Sequence, residues 1–257
     1  MLRIDELEFA YDTHQVIRSV SLEAHSGEVI AVVGANGSGK TTLFNLITGG
    51  YKQSKGTIFI NDQNTKKLSS WDRSQLIAYV PQNPDPPQGF TVRELVMMGR
   101  NPYLSLIDWG KSEDFAIAEK ALLKTGLSDY IDQPLDHLSG GELQSAFIAM
   151  ALAQETEILL LDEPTSNLDL RNQAVLMSMV HQLSRENETT VIMAMHDLTL
   201  AAQWCDKLVM LLNGSVFAEG PPDIVLTADN INMVYDTEVE VEYSRKGNKP
   251  IIFSKQN

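Results

Sequence analysis

Continuous apolar runs recur along the chain, and three of them are rich in branched side chains. They are Glu28–Val33, Ile158–Leu161 and Thr189–Ala194. Such runs are typical of strands buried on both faces of a parallel sheet. Helical patterns follow the first two runs, over Leu43–Ile47 and about Leu170–Glu186. The chain is therefore predicted to have an α/β fold around a parallel central sheet.

Other segments alternate between apolar and polar positions, as strands with one exposed face do. Leu2–Ala10 and Val16–Ala24 predict two antiparallel strands around a loop at Tyr11–Gln15, and Gly56–Ile60 predicts another strand. The first part of the chain thus favours an antiparallel sheet beside the parallel one.

Two further strand pairs are predicted near the C-terminal end. Asn213-Gly214, the preferred two-residue hairpin turn, joins Lys207–Leu212 to Ser215–Ala218. Thr237–Tyr243 and Pro250–Ser254 form the second pair, with a polar turn between them.

Between about Gln88 and Leu138 only helical patterns occur. The connector Asn83–Gly89 comes first, and its prolines lack the N–H that a helix or central strand needs. Thr91 opens one helix, and Ser112 opens another that ends near Gly126. We predict one domain over 1–257, with an α/β core from 1–87 and 139–257 and a helical subdomain from about 88–138.

Gly34–Thr42 fits the phosphate-binding template G-x-x-x-x-G-K-[S/T] and lies between a predicted strand and a predicted helix. Its glycines let backbone N–H groups point at an anion, and the following helix adds its positive end. Lys40 is expected to reach the β- and γ-phosphates, and Thr41 to hold Mg²⁺. The alternative is a glycine-rich turn that binds nothing. The predicted nucleotide-binding residues of the loop are Gly34, Asn36, Gly37, Ser38, Gly39, Lys40, Thr41 and Thr42.

Two adjacent carboxylates end the second apolar strand. Ligands of open α/β sheets bind at the carboxyl ends of the strands, and neighbouring strand residues point to opposite sides. We therefore assign Asp162 to Mg²⁺, directly or through water, and Glu163 to the attacking water as general base. The alternative is a solvated pair at a strand end.

Three further features have both a structural and a functional interpretation. His196 follows a buried strand, where a γ-phosphate is within reach, although a lone histidine is usually structural. Ser139 and Glu142 flank two glycines and predict either a simple capped helix or a second anion site. Tyr11 either stacks on an adenine ring or is a half-buried residue at a strand end.

The composition is typical of a globular protein, and its charge disfavours nucleic acid as a partner. The chain has 257 residues, 43% of them hydrophobic, and a net charge of −14. So acidic a chain is a poor general nucleic-acid binder, because phosphate contacts need a basic face. We expect no secretory signal and no membrane span, since no stretch approaches the roughly 20 apolar residues that a span requires. The single cysteine, Cys205, fits a reducing compartment and is expected to be a buried hydrophobe.

These motifs, in this order, resemble the ATPase subunit of ATP-binding cassette (ABC) transporters over nearly the whole chain. The matching parts are Gly34–Thr42, Gln82, the signature Leu138–Glu142, Ile158–Pro164, Ser166–Asp169 and His196. The resemblance implies a P-loop NTPase core with an antiparallel β subdomain and an inserted helical subdomain. It also implies ATP hydrolysis with Mg²⁺.

The resemblance implies roles for individual residues. Gln82 would sense Mg²⁺ and the attacking water, and His196 would contact the γ-phosphate. Asp169 would couple two sites across a subunit interface, and Tyr11 would stack on adenine. The signature residues Ser139, Gly140, Gly141 and Glu142 would act on the nucleotide of another subunit.

The implied partners follow from the same family. A second ATPase subunit, expected to be another copy, would pair head to tail and sandwich two ATP molecules. Transmembrane permease subunits would hold the chain at the cytoplasmic face of the membrane. A periplasmic or surface substrate-binding protein would take part indirectly.

Within the family, the chain is most similar to importers of iron chelates (siderophores), haem and cobalamin. The similarity rests on Thr91–Tyr103 and on the helix that begins Ser112-Glu113-Asp114. Glu142 stands where Gln is commoner. Ser145 stands where an Arg is usual, so the hydrogen-bond donors of a guanidinium are missing beside the signature. Import rests on this resemblance alone.

Two other classes compete with a transport ATPase. An ATPase of this fold in DNA repair or on ribosomes would need coiled coils, tandem cassettes or a basic surface, and the sequence shows none of these. A regulator without turnover is disfavoured by the presence of Glu163 and His196.

Overall fold

The computed structural model of the protein describes residues 1–104, 110–166, 168–245, 247 and 249–255. The strands are β1 (Leu2–Tyr11), β2 (His14–Ala24), β3 (Val29–Val33), β4 (Lys55–Ile60), β5 (Gln63–Asn64), β6 (Ile77–Val80), β7 (Ile158–Asp162), β8 (Thr190–Ala194), β9 (Lys207–Leu212), β10 (Ser215–Gly220), β11 (Val239–Tyr243) and β12 (Pro250–Ser254). The α-helices are α1 (Lys40–Thr48), α2 (Ser70–Ser74), α3 (Val92–Met98), α4 (Ser112–Lys124), α5 (Gly140–Ala153), α6 (Leu170–Asn187), α7 (Leu198–Trp204), α8 (Pro222–Val225) and α9 (Ala228–Tyr235).

The central sheet has six strands in the order β10-β9-β3-β8-β7-β6. All its pairs are parallel except β9 with β10, which are joined by the predicted hairpin turn. Asn213 and Gly214 both have positive φ, as the preferred hairpin turn requires. The α/β prediction is confirmed, and the carboxyl ends of β3, β6, β7 and β8 meet along one edge of the sheet.

A second, antiparallel sheet has the order β2-β1-β4-β5, and β11 pairs with β12 in a separate hairpin. The predicted loop at Tyr11–Gln15 was too long. Tyr11 pairs with His14, so the turn is only Asp12-Thr13, and Asp12 takes a left-handed conformation that tightens it.

Side chains of the central sheet point into two cores. Along β3, Ile30 and Val32 face α1 and the antiparallel sheet, whereas Val29, Ala31 and Val33 face the helices α3 to α9. Because both faces are covered, the strand reads as a continuous apolar run.

The elements between β6 and α5 are helical within the described residues. The Thr91–Glu94 capping box at the start of α3 is confirmed. The second predicted start is confirmed as well, since α4 begins at Ser112 and Asp114 in its first turn accepts from the Lys111 N–H at 2.9 Å. Helix α5 packs mainly against α3 and α4.

Candidate nucleotide site

The glycine-rich loop leaves the end of β3 and closes on the start of α1. Gly34 has φ +151° and Gly39 φ +105°, both in the region that favours glycine. A Cβ on Gly34 would lie 2.5 Å from the Leu211 carbonyl oxygen. The loop therefore requires a residue without a side chain at this position.

Lys40 lies buried at the first position of α1 and turns back over the loop. Its Nζ donates to the carbonyl oxygens of Gly34 at 2.9 Å and Ala35 at 3.3 Å. Burial lowers the pKa of Lys40, and the nearby carboxylates of Glu163 and Asp162 oppose that shift. A phosphate would offer this cation a full negative charge in place of two carbonyl dipoles.

A cavity of about 320 Å³ lies over the loop. Its lining residues are His14, Val16, Asn36–Thr42 and Glu163. His14 and Val16 at the start of β2 were not predicted from the sequence; their only signal was their closeness in the chain to Tyr11. The buried Ser38 hydroxyl, in the same loop, has no hydrogen-bond partner among the described residues.

Asp162 ends β7 and is 1% exposed. Its Oδ2 accepts from the Tyr79 hydroxyl at 3.4 Å. Burial raises the pKa of Asp162, while hydrogen bonds from the Thr41 and Tyr79 hydroxyls oppose that rise. Its Oδ1 is buried and finds no partner within the described part of the chain. A buried carboxylate oxygen without a partner is costly unless a ligand satisfies it.

Glu163 follows Asp162 but leaves the strand, because its backbone is left-handed with φ +50°. One carboxylate oxygen accepts from the Gln82 amide and the other contacts His196 Nε2. The prediction treated both residues as part of the strand, but β7 ends at Asp162 and Glu163 lies beyond it. Side chains from the ends of β6, β7 and β8 thus meet at Glu163.

The donors around Asp162 fit a magnesium ion. Mg²⁺ prefers hard oxygen ligands and keeps several waters, so one or two protein oxygens suffice. The unpartnered Asp162 Oδ1 and the adjacent Thr41 hydroxyl are such oxygens. Gln82, also predicted as a metal contact, instead donates to Glu163 here.

The signature residues lie at the start of α5, and they are absent from the lining of the cavity. Ser139 Oγ accepts from the Glu142 N–H at 3.4 Å, and Glu142 accepts from the Ser139 N–H at 2.8 Å, so the predicted capping box is confirmed. Ser139 and Gly140 are exposed, and no described atom lies within 4 Å of the position a Cβ on Gly140 would take. This helix start faces open space in the single chain.

Asp169 and Tyr11 are exposed as well. Asp169 caps α6 by accepting from the Asn172 N–H at 2.8 Å. Asn167, in the same predicted loop, lies outside the described residues. Tyr11 contacts the rings of Phe9 and Tyr51 at the edge of the antiparallel sheet.

The model of the ABC transporter family matches residues 17–166, which include the phosphate-binding loop, the signature and both carboxylates. The chain belongs to the ABC transporter family.

Two curated ABC relatives match over almost their entire length. An uncharacterised ABC transporter ATP-binding protein of Methanocaldococcus jannaschii is 39% identical over 95% of this chain and 95% of its own. The iron(3+)-hydroxamate import ATP-binding protein FhuC of Bacillus subtilis is 34% identical over 97% of this chain and 93% of its own.

Solved ABC structures share the fold. One is an inward-facing ABC transporter provisionally classed as metal-chelate type, with TM-score 0.86 and 27% identity over 99% of this chain and 97% of that chain. Another is a dimeric cassette in a post-hydrolysis state with ADP and phosphate, with TM-score 0.78 and 26% identity over 86% of this chain and 99% of that chain. This ABC subunit therefore binds and hydrolyses ATP.

As an ABC transporter subunit, the chain works with permease partners and is membrane-associated. Among the described residues, every helix is too short or too polar to cross a bilayer.

Proposed function

We propose that the protein hydrolyses ATP at a site shared between two of its own copies, and so powers uptake of an iron chelate, haem or cobalamin through a permease. The proposal depends on the separation of two predicted phosphate-binding parts of the chain. One part lies at one end of the central sheet and contains Lys40, Asp162, Glu163 and His196. The other is the start of the signature helix, where Ser139 and Gly140 are exposed and no described atom crowds Gly140.

The triphosphate would lie on Gly34–Thr42, where backbone N–H groups and the start of α1 favour an anion. Lys40 would exchange its two carbonyl contacts for β- and γ-phosphate oxygens. Ser38, whose hydroxyl lacks a partner in the described chain, is placed to donate to the same phosphates. Tyr11 would stack on the adenine beyond the cavity.

Mg²⁺ would be held by Thr41 and Asp162, with Gln82 joining when the nucleotide is bound. When bound, it neutralises charge on the β- and γ-phosphates. Burial that raises the pKa of Asp162 also makes a cation a favourable replacement for its missing partner.

Glu163 would accept the proton of the attacking water, and its surroundings suit this role. Its carboxylate is 10% exposed and is held between Gln82 and His196. A base held by two groups keeps its orientation without a water shell. His196, which contacts the other carboxylate oxygen of Glu163, would contact the γ-phosphate.

The second half of each site would come from the partner copy. Ser139, Gly140 and Gly141 lie at a helix start, and the start of a helix binds an anion well. Placed over the γ-phosphate of the other copy, with Glu142 keeping the cap, they would make ATP part of the interface. Asp169, exposed at the start of α6, would couple the two sites.

The choice of cargo rests on similarity rather than on this chain's own geometry. The relative FhuC is named for iron(3+)-hydroxamate import, and the segment Thr91–Tyr103 resembles the importer group. We place the chain at the cytoplasmic face of the membrane, bound to permease subunits and served by a substrate-binding protein on the other side.

The test combines Glu163→Gln with light scattering. Removing the base should lower turnover by about 10²- to 10⁴-fold while ATP binding persists, so that an ATP-bound dimer accumulates. Glu157→Gln, on the exposed stretch before β7, is the matched control and should turn over normally. A Glu163→Gln protein that binds ATP yet stays monomeric would contradict the shared site.

A further inference from the structure

Three aromatic rings form a cluster on the antiparallel sheet, outside the glycine-rich loop. Phe9 and Tyr51 stack with centroids 5.3 Å apart and planes 11° from parallel. Tyr11 meets both of them edge to face, with centroids 4.8 Å from Phe9 and 5.4 Å from Tyr51. Each ring therefore touches the other two in a favourable geometry.

The cluster is anchored on one side and open on the other. Phe9 is partly buried and packs against the core beneath α1. Tyr51 follows α1, and its backbone N–H donates to the Asn45 carbonyl at 3.1 Å. Tyr11 and Tyr51 remain 43% and 36% exposed. Ring surface is thus left available to a ligand.

The cluster is carried by elements that border the nucleotide cavity. Tyr11 pairs with His14 across the two-residue turn, and His14 and Val16 line the cavity together with Asn36–Thr42. Tyr51 lies three residues beyond the end of α1, the helix that the glycine-rich loop opens. Both tyrosines are therefore tied to elements that border the nucleotide.

An exposed ring at a strand end must be held if it is to stack well. A free tyrosine loses rotational freedom when a base binds, and that loss weakens binding. Tyr51 limits this freedom through the edge-to-face contact between the two rings. The Tyr11 hydroxyl is also close enough to raise the pKa of Tyr51.

We propose that Tyr51 is a positioning residue that holds the Tyr11 ring in place for the purine base of the nucleotide. This inference rests on the proposed role of Tyr11. It predicts that Tyr51 acts on the base and not on the phosphates, and that it acts only through Tyr11.

The test measures binding of Mg-ADP and of Mg-pyrophosphate to the full chain by calorimetry, since neither ligand needs the partner copy. Stacking is worth about 1–3 kcal/mol per base, so Tyr11→Ala should weaken ADP binding by about 5- to 150-fold. An aromatic pair is worth less, so Tyr51→Ala should weaken it by about 2- to 12-fold. Both variants should bind pyrophosphate as the wild type does.

A double variant and a conservative variant separate positioning from a structural role. Tyr51→Ala should cost nothing further once Tyr11→Ala is present, because its effect passes through Tyr11. Tyr51→Phe keeps the ring and should bind ADP within about threefold of the wild type. Tyr243→Ala, an exposed tyrosine on β11, is the control and should change neither affinity.

The outcomes also separate the inference from the function on which it rests. If Tyr11→Ala leaves ADP binding unchanged, the stacking role fails and the inference fails with it. If only Tyr11→Ala weakens ADP binding, or if the two effects add, the stacking role stands and Tyr51 does not position it. Equal loss of pyrophosphate binding in Tyr51→Ala would show a structural role and overturn the proposal.

Discussion

The chain has two glycine-rich loops that each open a helix, and the space around their glycines differs. A Cβ would lie 2.5 Å from the Leu211 carbonyl oxygen if added to Gly34, and 2.8 Å from the Ile17 methyl if added to Gly39. The same addition at Gly140 would meet no described atom within 4 Å. Gly34 and Gly39 are needed because the chain's own packing leaves no room for a side chain there, whereas no described neighbour crowds Gly140.

The two loops also differ in how much of a phosphate-binding site the chain itself provides around them. The first already has its cation, its carboxylates and a cavity. The second has a satisfied cap, and its residues Ser139 and Gly140 are exposed. A glycine that its own fold does not require is best explained by a close approach from another molecule.

The largest expected effect tests the first loop. Lys40→Ala should reduce ATP affinity by roughly 10³-fold, because the phosphates lose their buried cation and its charge-assisted hydrogen bonds. Calorimetric titration with Mg-ATP measures it. Lys67→Ala, an exposed lysine after β5, is the control. An affinity within tenfold of the wild type would show that Lys40 does not hold the phosphates.

The next test concerns how the signature helix is held at its far end. Arg100 is 7% exposed at its side chain and donates to Asp114 at 2.9 Å, to the Ala153 carbonyl at 2.8 Å and to Glu155 at 3.0 Å. Arg100→Met should lower the free energy of unfolding by roughly 3–5 kcal/mol, because Asp114 is left buried without its cation. Urea denaturation measures the change.

Arg93 provides the matched control for Arg100. Its pair with Asp132 is exposed, so Arg93→Met should cost at most about 1 kcal/mol. If the two variants lost equal free energy of unfolding, the contacts of Arg100 would not stabilise the C-terminal end of α5 more than an exposed ion pair does.

A third test compares the glycines directly. Gly34→Ala should destabilise the protein by about 1–3 kcal/mol, because its Cβ meets backbone at a positive φ. Gly140→Ala should leave the free energy of unfolding within about 0.5 kcal/mol of the wild type. Thermal unfolding without nucleotide measures both, and a cost at Gly140 equal to that at Gly34 would remove the contrast between the loops.

The smallest effects concern pH, and their signs differ between the two regions. Hydrogen bonds from Ser139 lower the pKa of Glu142, so Glu142 stabilises the fold above its unfolded pKa of about 4.3, and this stability is lost as the pH falls. Burial raises the pKa of Asp162 above its unfolded value of about 3.9, so stability is lost as the pH rises through the folded value.

Thermal unfolding between pH 4 and 8 should show this difference. Asp162→Asn should be more stable than the wild type by about 1 kcal/mol at pH 8, and the gain should shrink toward pH 4. Glu142→Gln should be slightly less stable at pH 8, and that loss should also shrink toward pH 4. If both variants shifted stability in the same direction, the electrostatic difference between the regions would be refuted.

Features set by local sequence could be predicted, and features set by packing could not. The strand–loop–helix setting of Lys40 and the capping boxes at Thr91 and Ser139 depend on neighbours in the chain, and the structure confirms them. The left-handed Glu163 was missed because its conformation depends on contacts from three different strand ends. The lining role of His14 depends on how the antiparallel sheet lies over the loop.

The roles of the individual site residues stay predictions, which the variants above test. The sequence could predict that Gln82, Glu163 and His196 lie at the same edge of the sheet. It could not predict that Glu163 contacts both of the other side chains directly. Likewise, the sequence alone could not predict that no described atom would lie within 4 Å of a Cβ on Gly140.

The most direct measurement is the ATP-dependent mass of Glu163→Gln, by light scattering, with and without Gly140→Leu. The account predicts a dimer for Glu163→Gln, and a monomer that still binds ATP when Gly140→Leu is added, because the new side chain blocks the partner's phosphate. Loss of ATP binding in the monomer, as in Lys40→Ala, or a dimer that persists despite Gly140→Leu, would contradict the shared site.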